Sequence, residues 1–300
     1  MPALIPADLP VPVPKPDELL IRVHAAGVIS TELGWYPTTH SPSGALRENA
    51  VPGHEFSGVV AAVGNQCADF QTGDEVYGMN DWFSDGATAE YCVAAPSGVS
   101  RKPRNLSHAE AAGVPISALA AWQGLYERTK LQPGDRVLIH GAAGAVGIFA
   151  LQLARRAGAY ILATASARDS EFVRELGANE VIDYHTERFE ERAGKVDVVF
   201  DTIGGEVLQR SWPLLAPAGR LVTIASASEE IQDEQTKAAF FIVVPNVVQL
   251  KQISELLERG ELRTFVASIV PLAEASAAYS RALPREHRPG KVVITILPPE

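Results

Sequence analysis

Between residues 136 and 258, short apolar runs alternate with amphipathic helical patterns, and this alternation constrains the fold more than any other feature. A short apolar run is typical of a strand buried on both faces, and each helical pattern carries an apolar stripe that can pack on such a face. The sequence therefore predicts an α/β fold with a doubly wound parallel sheet. The predicted strands are RVLIH (136–140), YILAT (160–164), EVIDY (180–184), VDVVFDT (196–202), RLVTIA (220–225) and, as a sixth strand, FFIVV (240–244).

The first third of the chain has a different pattern, in which short β-like runs are separated by turn residues. These runs predict strands at 19–26, 56–63, 74–79 and 89–95, and the final run KVVITI (291–296) has the same character. We expect an irregular, mostly antiparallel β unit. Proline cannot donate to a sheet ladder, so the Pro-rich segment at 10–16 should lie extended at the surface.

A helical linker separates the two patterns. Ser107 and Glu110 have the spacing of a capping box, and the Ala-rich run that follows predicts a helix that continues through Pro115 to Thr129. The predicted domains are accordingly residues 1–104, completed by 266–300, and residues 105–265.

Composition and charge exclude several classes of partner. The 300 residues include 36 acidic and 26 basic side chains, and the formal net charge is −10. We therefore expect no attraction to nucleic acid or to an anionic membrane. No apolar stretch approaches the roughly 20 residues of a membrane span, and the start of the chain lacks the apolar centre of a signal peptide, which predicts a cytoplasmic protein. Cys67 and Cys92 are too few for a disulfide framework and are interpreted as buried free thiols.

The strongest motif is a glycine-rich loop between the first predicted strand of the parallel sheet and the helix after it. In a dinucleotide-binding loop, one glycine permits a tight turn, the next lets the backbone approach a pyrophosphate, and the third lets the helix pack against the strand. An ordinary strand-to-helix turn is the alternative, but the surrounding alternation of strands and helices favours dinucleotide binding. The loop residues are Gly141, Ala142, Ala143, Gly144, Ala145, Val146 and Gly147.

The end of the next predicted strand indicates NADPH as the cofactor. An NAD-binding protein usually has a carboxylate there for the ribose 2′-hydroxyl, whereas this chain has Thr164, Ser166 and Arg168. Hydroxyl and guanidinium groups suit a 2′-phosphate, and the alternative is that Arg168 is a solvated residue at a helix start. Tyr184 and Thr202, at the ends of neighbouring strands, are further candidates for nucleotide contacts.

Several segments, taken in order, resemble the medium-chain dehydrogenase/reductase superfamily and, within it, the zinc-independent quinone oxidoreductases. They are HAAGVISTEL, VPGHEFSGVV, QTGDEVYG, LAAWQGL, HGAAGAVG, VVFDTIGG and PGKVVITI. The resemblance implies a GroES-like catalytic domain built from both chain ends, with a Rossmann NADP-binding domain between them. It also implies hydride transfer from NADPH to a small electrophile such as a quinone, an enone or an enal. The resemblance implies a homodimer as well, because members of this family commonly pair their nucleotide domains edge to edge, and the sixth strand would otherwise be an exposed apolar edge.

The zinc-dependent members of this superfamily differ from this chain at their metal ligands. Their cysteine ligand falls on Ile29, and no Cys or His occurs near Ser117, where a third ligand is expected; the pair His54 and Glu55 remains. A catalytic zinc needs about three protein ligands. The sequence therefore predicts no metal, and His54 and Glu55 are interpreted as structural.

The resemblance also suggests two catalytic residues. Tyr36 follows the turn that faces substrate in this family and could donate a hydrogen bond to a substrate oxygen, with loop packing as the alternative. Thr31 matches the hydroxyl that zinc enzymes use in proton relay. Two other functions stay open, a zinc-type alcohol dehydrogenase and a non-catalytic NADPH-binding protein.

Overall fold

A computed structural model describes residues 4–225, 228, 233–283 and 288–297. The chain forms two compact units, Met1–Ile116 with Pro245–Glu300, and Ser117–Val244. The limits predicted from the sequence, after residues 104 and 265, both lie inside the first unit.

The described residues contain twelve strands and ten α-helices, none of which is both long and apolar enough to cross a membrane. The strands are β1 (Leu19–Gly27), β2 (Glu55–Val63), β3 (Glu75–Met79), β4 (Tyr91–Ala94), β5 (Val99–Arg101), β6 (Arg136–Ile139), β7 (Tyr160–Ala165), β8 (Glu180–Asp183), β9 (Val196–Asp201), β10 (Leu215–Thr223), β11 (Val266–Pro271) and β12 (Lys291–Thr295). The helices are α1 (Tyr36–Thr39), α2 (His108–Ala112), α3 (Pro115–Trp122), α4 (Ala145–Arg156), α5 (Ser170–Leu176), α6 (Phe189–Arg192), α7 (Gly205–Ser211), α8 (Glu234–Ala239), α9 (Val247–Glu258) and α10 (Ala275–Tyr279).

The first unit is built on a seven-stranded sheet of order β11-β12-β1-β2-β3-β5, with β4 also paired to β1. Strand β1 brings an early and a late part of the chain together, because its second half pairs with β12. Its first half pairs with β4. All pairs in this sheet are antiparallel except β11 with β12. The mostly antiparallel unit predicted from the sequence, completed by the run KVVITI, is confirmed.

Strand β1 is buried on both faces over most of its length, and eight of its nine residues are buried. Leu19, Ile21 and Val23 are fully buried, whereas Arg22 between them is exposed. The segment before this strand has no ladder, as expected from its prolines, and Val13 within it is 86% exposed.

Helix α9 packs on the antiparallel sheet of the first unit. In the sequence, its amphipathic pattern is the last of the alternation that predicts the parallel sheet. The buried hydroxyl of Tyr77, on β3, donates to the Leu250 carbonyl oxygen at 2.8 Å and accepts from the Ser254 hydroxyl at 2.9 Å. Because a buried hydroxyl needs hydrogen-bond partners, these two bonds hold the helix on the antiparallel sheet.

A buried ion pair fixes the last strand of the chain to the first unit. Lys291, at the start of β12, pairs with Glu55 at the start of β2, and Glu55 also accepts a hydrogen bond from the Ile116 N–H at 2.9 Å. Burial raises the pKa of Glu55 even though the lysine opposes this shift. Removing one member of such a pair leaves the other charge buried without a partner.

We therefore expect Lys291→Met to lower the free energy of unfolding by about 3–5 kcal/mol. Urea unfolding at pH 7 measures this change. The double variant Glu55→Gln with Lys291→Met should recover part of the loss, because it removes the stranded charge. Lys251→Met, at an exposed position of α9, serves as the control and should change stability by less than about 0.5 kcal/mol. A double variant no more stable than Lys291→Met would contradict this explanation.

The second unit contains a five-stranded sheet of order β10-β9-β6-β7-β8 in which every pair is parallel. Helices occur between successive strands, as the alternation in the sequence predicts. The doubly wound parallel sheet is therefore confirmed.

The sixth strand predicted at 240–244 is wrong. Phe240 forms one isolated parallel bridge with Thr223, and the Phe241 N–H donates to the Thr223 carbonyl at 3.2 Å, but no strand follows. The side-chain amide of Gln123 takes the place of a ladder partner. Its Nε2 donates to the Val244 carbonyl oxygen at 2.8 Å, and its Oε1 accepts from the Val244 N–H at 3.1 Å.

The capping box of the linker is confirmed, but the continuous helix is wrong. Ser107 Oγ accepts from the Glu110 N–H, and the Glu110 carboxylate accepts from the Ser107 N–H at 2.8 Å. The helix ends at Ala112 and a second one begins at Pro115, followed by a π-helical turn at 123–128. The proline has no N–H to donate to the preceding turn, so it starts a new helix.

Candidate active site

The glycine loop lies where the strand order of the parallel sheet reverses. Strands β7 and β9 flank β6 on opposite sides, and in such a sheet ligands bind beyond the carboxyl ends of the strands at the reversal. Loop 141–147 follows β6 and loop 202–205 follows β9. The loops lie close together, because a Cβ added to Gly141 (φ +71°) would meet the hydroxyl of Thr202.

The first loop presents backbone amides that have no acceptor within the described part of the chain. They are the N–H groups of Ala143, Ala145, Val146 and Gly147, at the start of α4. The first turn of a helix leaves such donors unsatisfied, and the helix dipole makes this end positive. An anionic group such as a phosphate is therefore stabilised at this position.

Two glycines of the loop serve different purposes. A Cβ on Gly147 would lie 2.7 Å from the Cα of Ala142, so α4 can pack against the turn only if this residue is glycine. A Cβ on Gly144 would meet only the Gly141 carbonyl oxygen, at 3.2 Å, and otherwise open space. The open side of Gly144 next to unpaired amides fits the pyrophosphate of a dinucleotide.

A buried hydrogen-bond network lies beneath the loop. His140, which follows β6, places Nδ1 3.1 Å from Thr164 Oγ1 and Nε2 3.0 Å from Ser211 Oγ. Thr202 Oγ1 donates to the carbonyl oxygen of His140 at 2.8 Å. Thr164, assigned to the 2′-phosphate from the sequence, is buried with its hydroxyl in this network. The Thr164 hydroxyl is therefore engaged within the protein, and a direct contact with a nucleotide stays a prediction.

The second loop is held by the carboxylate of Asp201. This buried group accepts hydrogen bonds from the N–H groups of Ile203 (3.0 Å) and Gly204 (3.0 Å) and from the Thr223 hydroxyl (2.7 Å). Burial raises its pKa, and the three donors oppose that shift. The backbone of Gly204 has φ +75°, which glycine adopts without strain. Thr202 is therefore held from two directions: it follows the hydrogen-bonded Asp201 in the chain, and its hydroxyl is bonded to the His140 carbonyl oxygen.

The remaining predicted nucleotide contacts lie at the ends of β7 and β8. Ser166 donates through Oγ to Asp169 at 2.7 Å, so its hydroxyl proton is already engaged. Arg168 is exposed and has no partner among the described residues. Tyr184 is 57% exposed and its ring centroid lies 4.3 Å from that of His185. Of these side chains, Arg168 is the one that carries a positive charge to pair with a phosphate.

The two predicted catalytic residues lie near each other in the first unit's sequence but differ in surroundings. Tyr36 begins α1, is 51% exposed and stacks on His40 at 4.4 Å, with 6° between the rings. Thr31 is exposed and precedes a short turn at Glu32–Gly34. The Tyr36 ring therefore packs within its loop, as the alternative interpretation expected, while half of its surface stays open to a ligand.

A buried histidine and carboxylate lie beside this loop. Glu32 Oε1 accepts from the Gly53 N–H at 2.7 Å and lies 2.5 Å from His54 Nδ1. The other ring nitrogen of His54 lies 3.2 Å from the Ser84 carbonyl oxygen, and the ring centroid lies 5.2 Å from that of Trp82. The structural interpretation of His54 agrees with these contacts. Glu32 and Trp82 could not be associated with it from the sequence, because both contacts join segments more than 20 residues apart.

The superfamily's zinc-ligand positions do not fit a metal in this chain. Both nitrogens of His54 face oxygen atoms of the protein, Glu55 is engaged by Lys291 and Ile116, and Ile29 has no ligand atom. No three His, Cys, Asp or Glu side chains are arranged to hold a metal ion in residues 4–225, 228, 233–283 and 288–297.

Comparison with known proteins gives matches over nearly the whole chain. A family model described as "Alcohol dehydrogenase GroES-like domain" matches residues 15–104, and one described as "Zinc-binding dehydrogenase" matches residues 176–294. A "Probable zinc-binding oxidoreductase, mitochondrial" of Arthroderma benhamiae is 33% identical, with 96% of this chain and 92% of that protein covered.

Two further proteins have more specific names. An "NADPH-dependent alkenal/one oxidoreductase, chloroplastic" of Arabidopsis thaliana is 32% identical, with 97% of this chain and 75% of that protein covered. The solved structure of the quinone oxidoreductase from Coxiella burnetii is 30% identical, with a TM-score of 0.85 and coverage of 97% and 94% of the two chains.

The network beneath the loop predicts a pH dependence of stability. Burial lowers the pKa of His140 to about 3, whereas an unfolded histidine titrates near 6.5. Protonation therefore favours the unfolded chain below about pH 6.5, and stability should fall as the pH falls toward 3, by up to about 1.4 kcal/mol per pH unit.

Urea unfolding of the wild type and of His140→Asn between pH 7.5 and 5 tests this expectation. Above about pH 6.5 the difference in stability between the two proteins should be constant, and it should shrink on acidification because only the wild type has this buried histidine. Burial also lowers the pKa of His108, to about 4, but that residue is present in both proteins. Equal pH dependence of the two proteins would contradict the assignment.

Proposed function

The chain belongs to the medium-chain dehydrogenase/reductase superfamily, in its quinone oxidoreductase-like branch, and from this premise we propose that it transfers a hydride from NADPH to a quinone, an enone or an enal without zinc. The observation that carries the proposal is the group of loop amides beside Gly144 that have no acceptor among the described residues. These amides, the amide cradle, lie where the strand order of the parallel sheet reverses. The named relatives support the same class, because one is called NADPH-dependent and acts on alkenals and alkenones.

NADPH, when bound, supplies the hydride from its nicotinamide. The amides of Ala143, Ala145 and Val146 would hold the pyrophosphate, since an anion is favoured at the start of α4. Arg168 would neutralise the 2′-phosphate, because its guanidinium is exposed and has no partner among the described residues. Ser166, Tyr184 and Thr202 are proposed as neighbouring contacts.

We propose that acceptor reduction depends on positioning rather than on a metal. A polarised carbonyl needs a donor to its developing oxyanion, and the half-exposed hydroxyl of Tyr36 can supply one. Thr31, which is also exposed, is a second candidate donor. Near-attack geometry alone can contribute about 7–11 kcal/mol to lowering a barrier, so loss of a single donor should reduce turnover only in part.

A cytoplasmic location and a homodimer stay predictions. The relatives include proteins named mitochondrial and chloroplastic. The reason first given for a dimer, an exposed sixth strand, does not hold because residues 240–244 form no strand. The dimer therefore rests on the family alone, and light scattering at micromolar concentration tests it.

The function is tested by following NADPH oxidation with a panel of quinones, enones and enals. We expect turnover with at least one class, and we expect it to survive exhaustive treatment with a zinc chelator. Tyr36→Phe should lower kcat in part, by about 3- to 30-fold. Tyr160→Phe, which removes another exposed tyrosine hydroxyl, bonded to Glu180, should leave kcat unchanged.

Two outcomes would overturn this proposal. Complete loss of activity on chelation, restored by added zinc, would favour a zinc-type alcohol dehydrogenase. Tight NADPH binding without oxidation by any acceptor would favour a non-catalytic NADPH-binding protein.

The cofactor preference is tested by Arg168→Ala. Loss of a charge-assisted bond at an exposed position should weaken NADPH binding by about tenfold and leave NADH binding unchanged. Titration of cofactor fluorescence measures both dissociation constants. Arg174→Ala is the matched control, because Arg174 is an exposed arginine of the same unit, on α5. Equal affinities of the wild type for NADPH and NADH would contradict the assignment.

A further inference from the structure

We infer that His140 is a positioning residue for the nucleotide loop, held as the neutral tautomer protonated on Nε2 and linking Ser211 to the Gly141 backbone. This inference rests on the proposed NADPH site and extends it to buried residues beneath the loop. Its basis is that the direction of each hydrogen bond around the ring can be assigned.

Ser211 determines which ring nitrogen of His140 is protonated. Its hydroxyl has one proton, and that proton is donated to the Val207 carbonyl oxygen, 2.7 Å away within the same helix, α7. Ser211 Oγ can then only accept from His140 Nε2, which lies 3.0 Å away. The proton of the neutral ring is therefore on Nε2, and Nδ1 is an acceptor.

The second half of the chain of bonds follows from that tautomer. Nδ1 accepts the proton of Thr164 Oγ1, 3.1 Å away, so the Thr164 oxygen keeps its lone pairs for the Gly141 N–H, 3.4 Å away. The Thr164 carbonyl oxygen accepts from the Ala142 N–H at 3.2 Å. Two consecutive amides of the loop are thus bonded to one residue, whose side chain is oriented by His140.

Burial and packing fix the ring in this role. His140 is 1% exposed and Phe189 packs edge-on against it, with 4.6 Å between ring centroids. The imidazole therefore cannot turn to solvent without breaking both bonds. Gly141, which it supports, has the positive φ that directs the chain into the amide cradle.

The test uses NADPH alone, with its dissociation constant read from nucleotide fluorescence, and the variants Thr164→Val, Ser211→Ala and both together. Each single change should weaken NADPH binding by about 3- to 10-fold and should raise the KM for NADPH more than it lowers kcat. The double variant should lose less than the product of the two factors, because both changes act through one ring. Thr129→Val is the matched control. It removes a buried hydroxyl of the same unit, bonded to the Leu125 carbonyl oxygen, and should lower Tm without changing NADPH affinity.

A second measurement reads the tautomer directly. In ¹⁵N-histidine-labelled wild type at pH 7, His140 should show a protonated Nε2 and an unprotonated Nδ1; the opposite pattern would overturn the inference. Unchanged NADPH affinity in Ser211→Ala would also overturn it, as would exact multiplication of the two effects in the double variant. A wild type that binds no NADPH would overturn the proposed cofactor as well, whereas wild-type binding with unaffected variants would overturn this inference alone.

Discussion

The backbone of Gly141 and Ala142 lies so close to Gly147 that no side chain fits between the turn and the first turn of α4. The nucleotide site depends on this contact. It sets the start of the helix directly beyond β6, so that four amides with no acceptor among the described residues are grouped at the positive end of the helix dipole. Hydrogen bonds also hold the loop. The Gly141 N–H donates to the Thr164 hydroxyl oxygen, beside His140, and the Thr202 hydroxyl donates to the His140 carbonyl oxygen.

In the first unit, the main constraint is the burial of charged carboxylates. Glu55 is neutralised by Lys291, and Glu32 lies against His54, so each carboxylate has a nitrogen partner from a distant part of the chain. In a zinc enzyme of the superfamily a histidine at this position would be a metal ligand. Here both ring nitrogens of His54 lie within hydrogen-bonding distance of protein oxygen atoms, so the residue is part of the packing of the first unit.

Much of the fold could be predicted because its strands are specified locally. The runs at β1, β6 and β9 have the apolar content of buried strands. The loop that begins at Gly141 has a spacing of glycines that few other structures require. The sixth strand failed because the Val244 backbone bonds to the side chain of Gln123, 121 residues away in sequence. The assignment of Thr164 to the nucleotide stays a prediction, and the contact of its hydroxyl with His140 is visible only in the tertiary structure. A local sequence pattern determines helices and strands. The site depends instead on which side chain, distant in sequence, forms a hydrogen bond with a given atom.

The discontinuity of the first unit has a consequence for biosynthesis. The second unit is one contiguous segment, Ser117–Val244, and it can fold once that segment has left the ribosome. The first unit cannot be completed then, because β12 and Lys291 follow the whole of the second unit in the chain. Until they emerge, Glu55 has no cation and the second half of β1 lacks its neighbour. The nascent chain therefore carries an open sheet edge for as long as the second unit is being translated, and an open edge is a template for pairing with other chains.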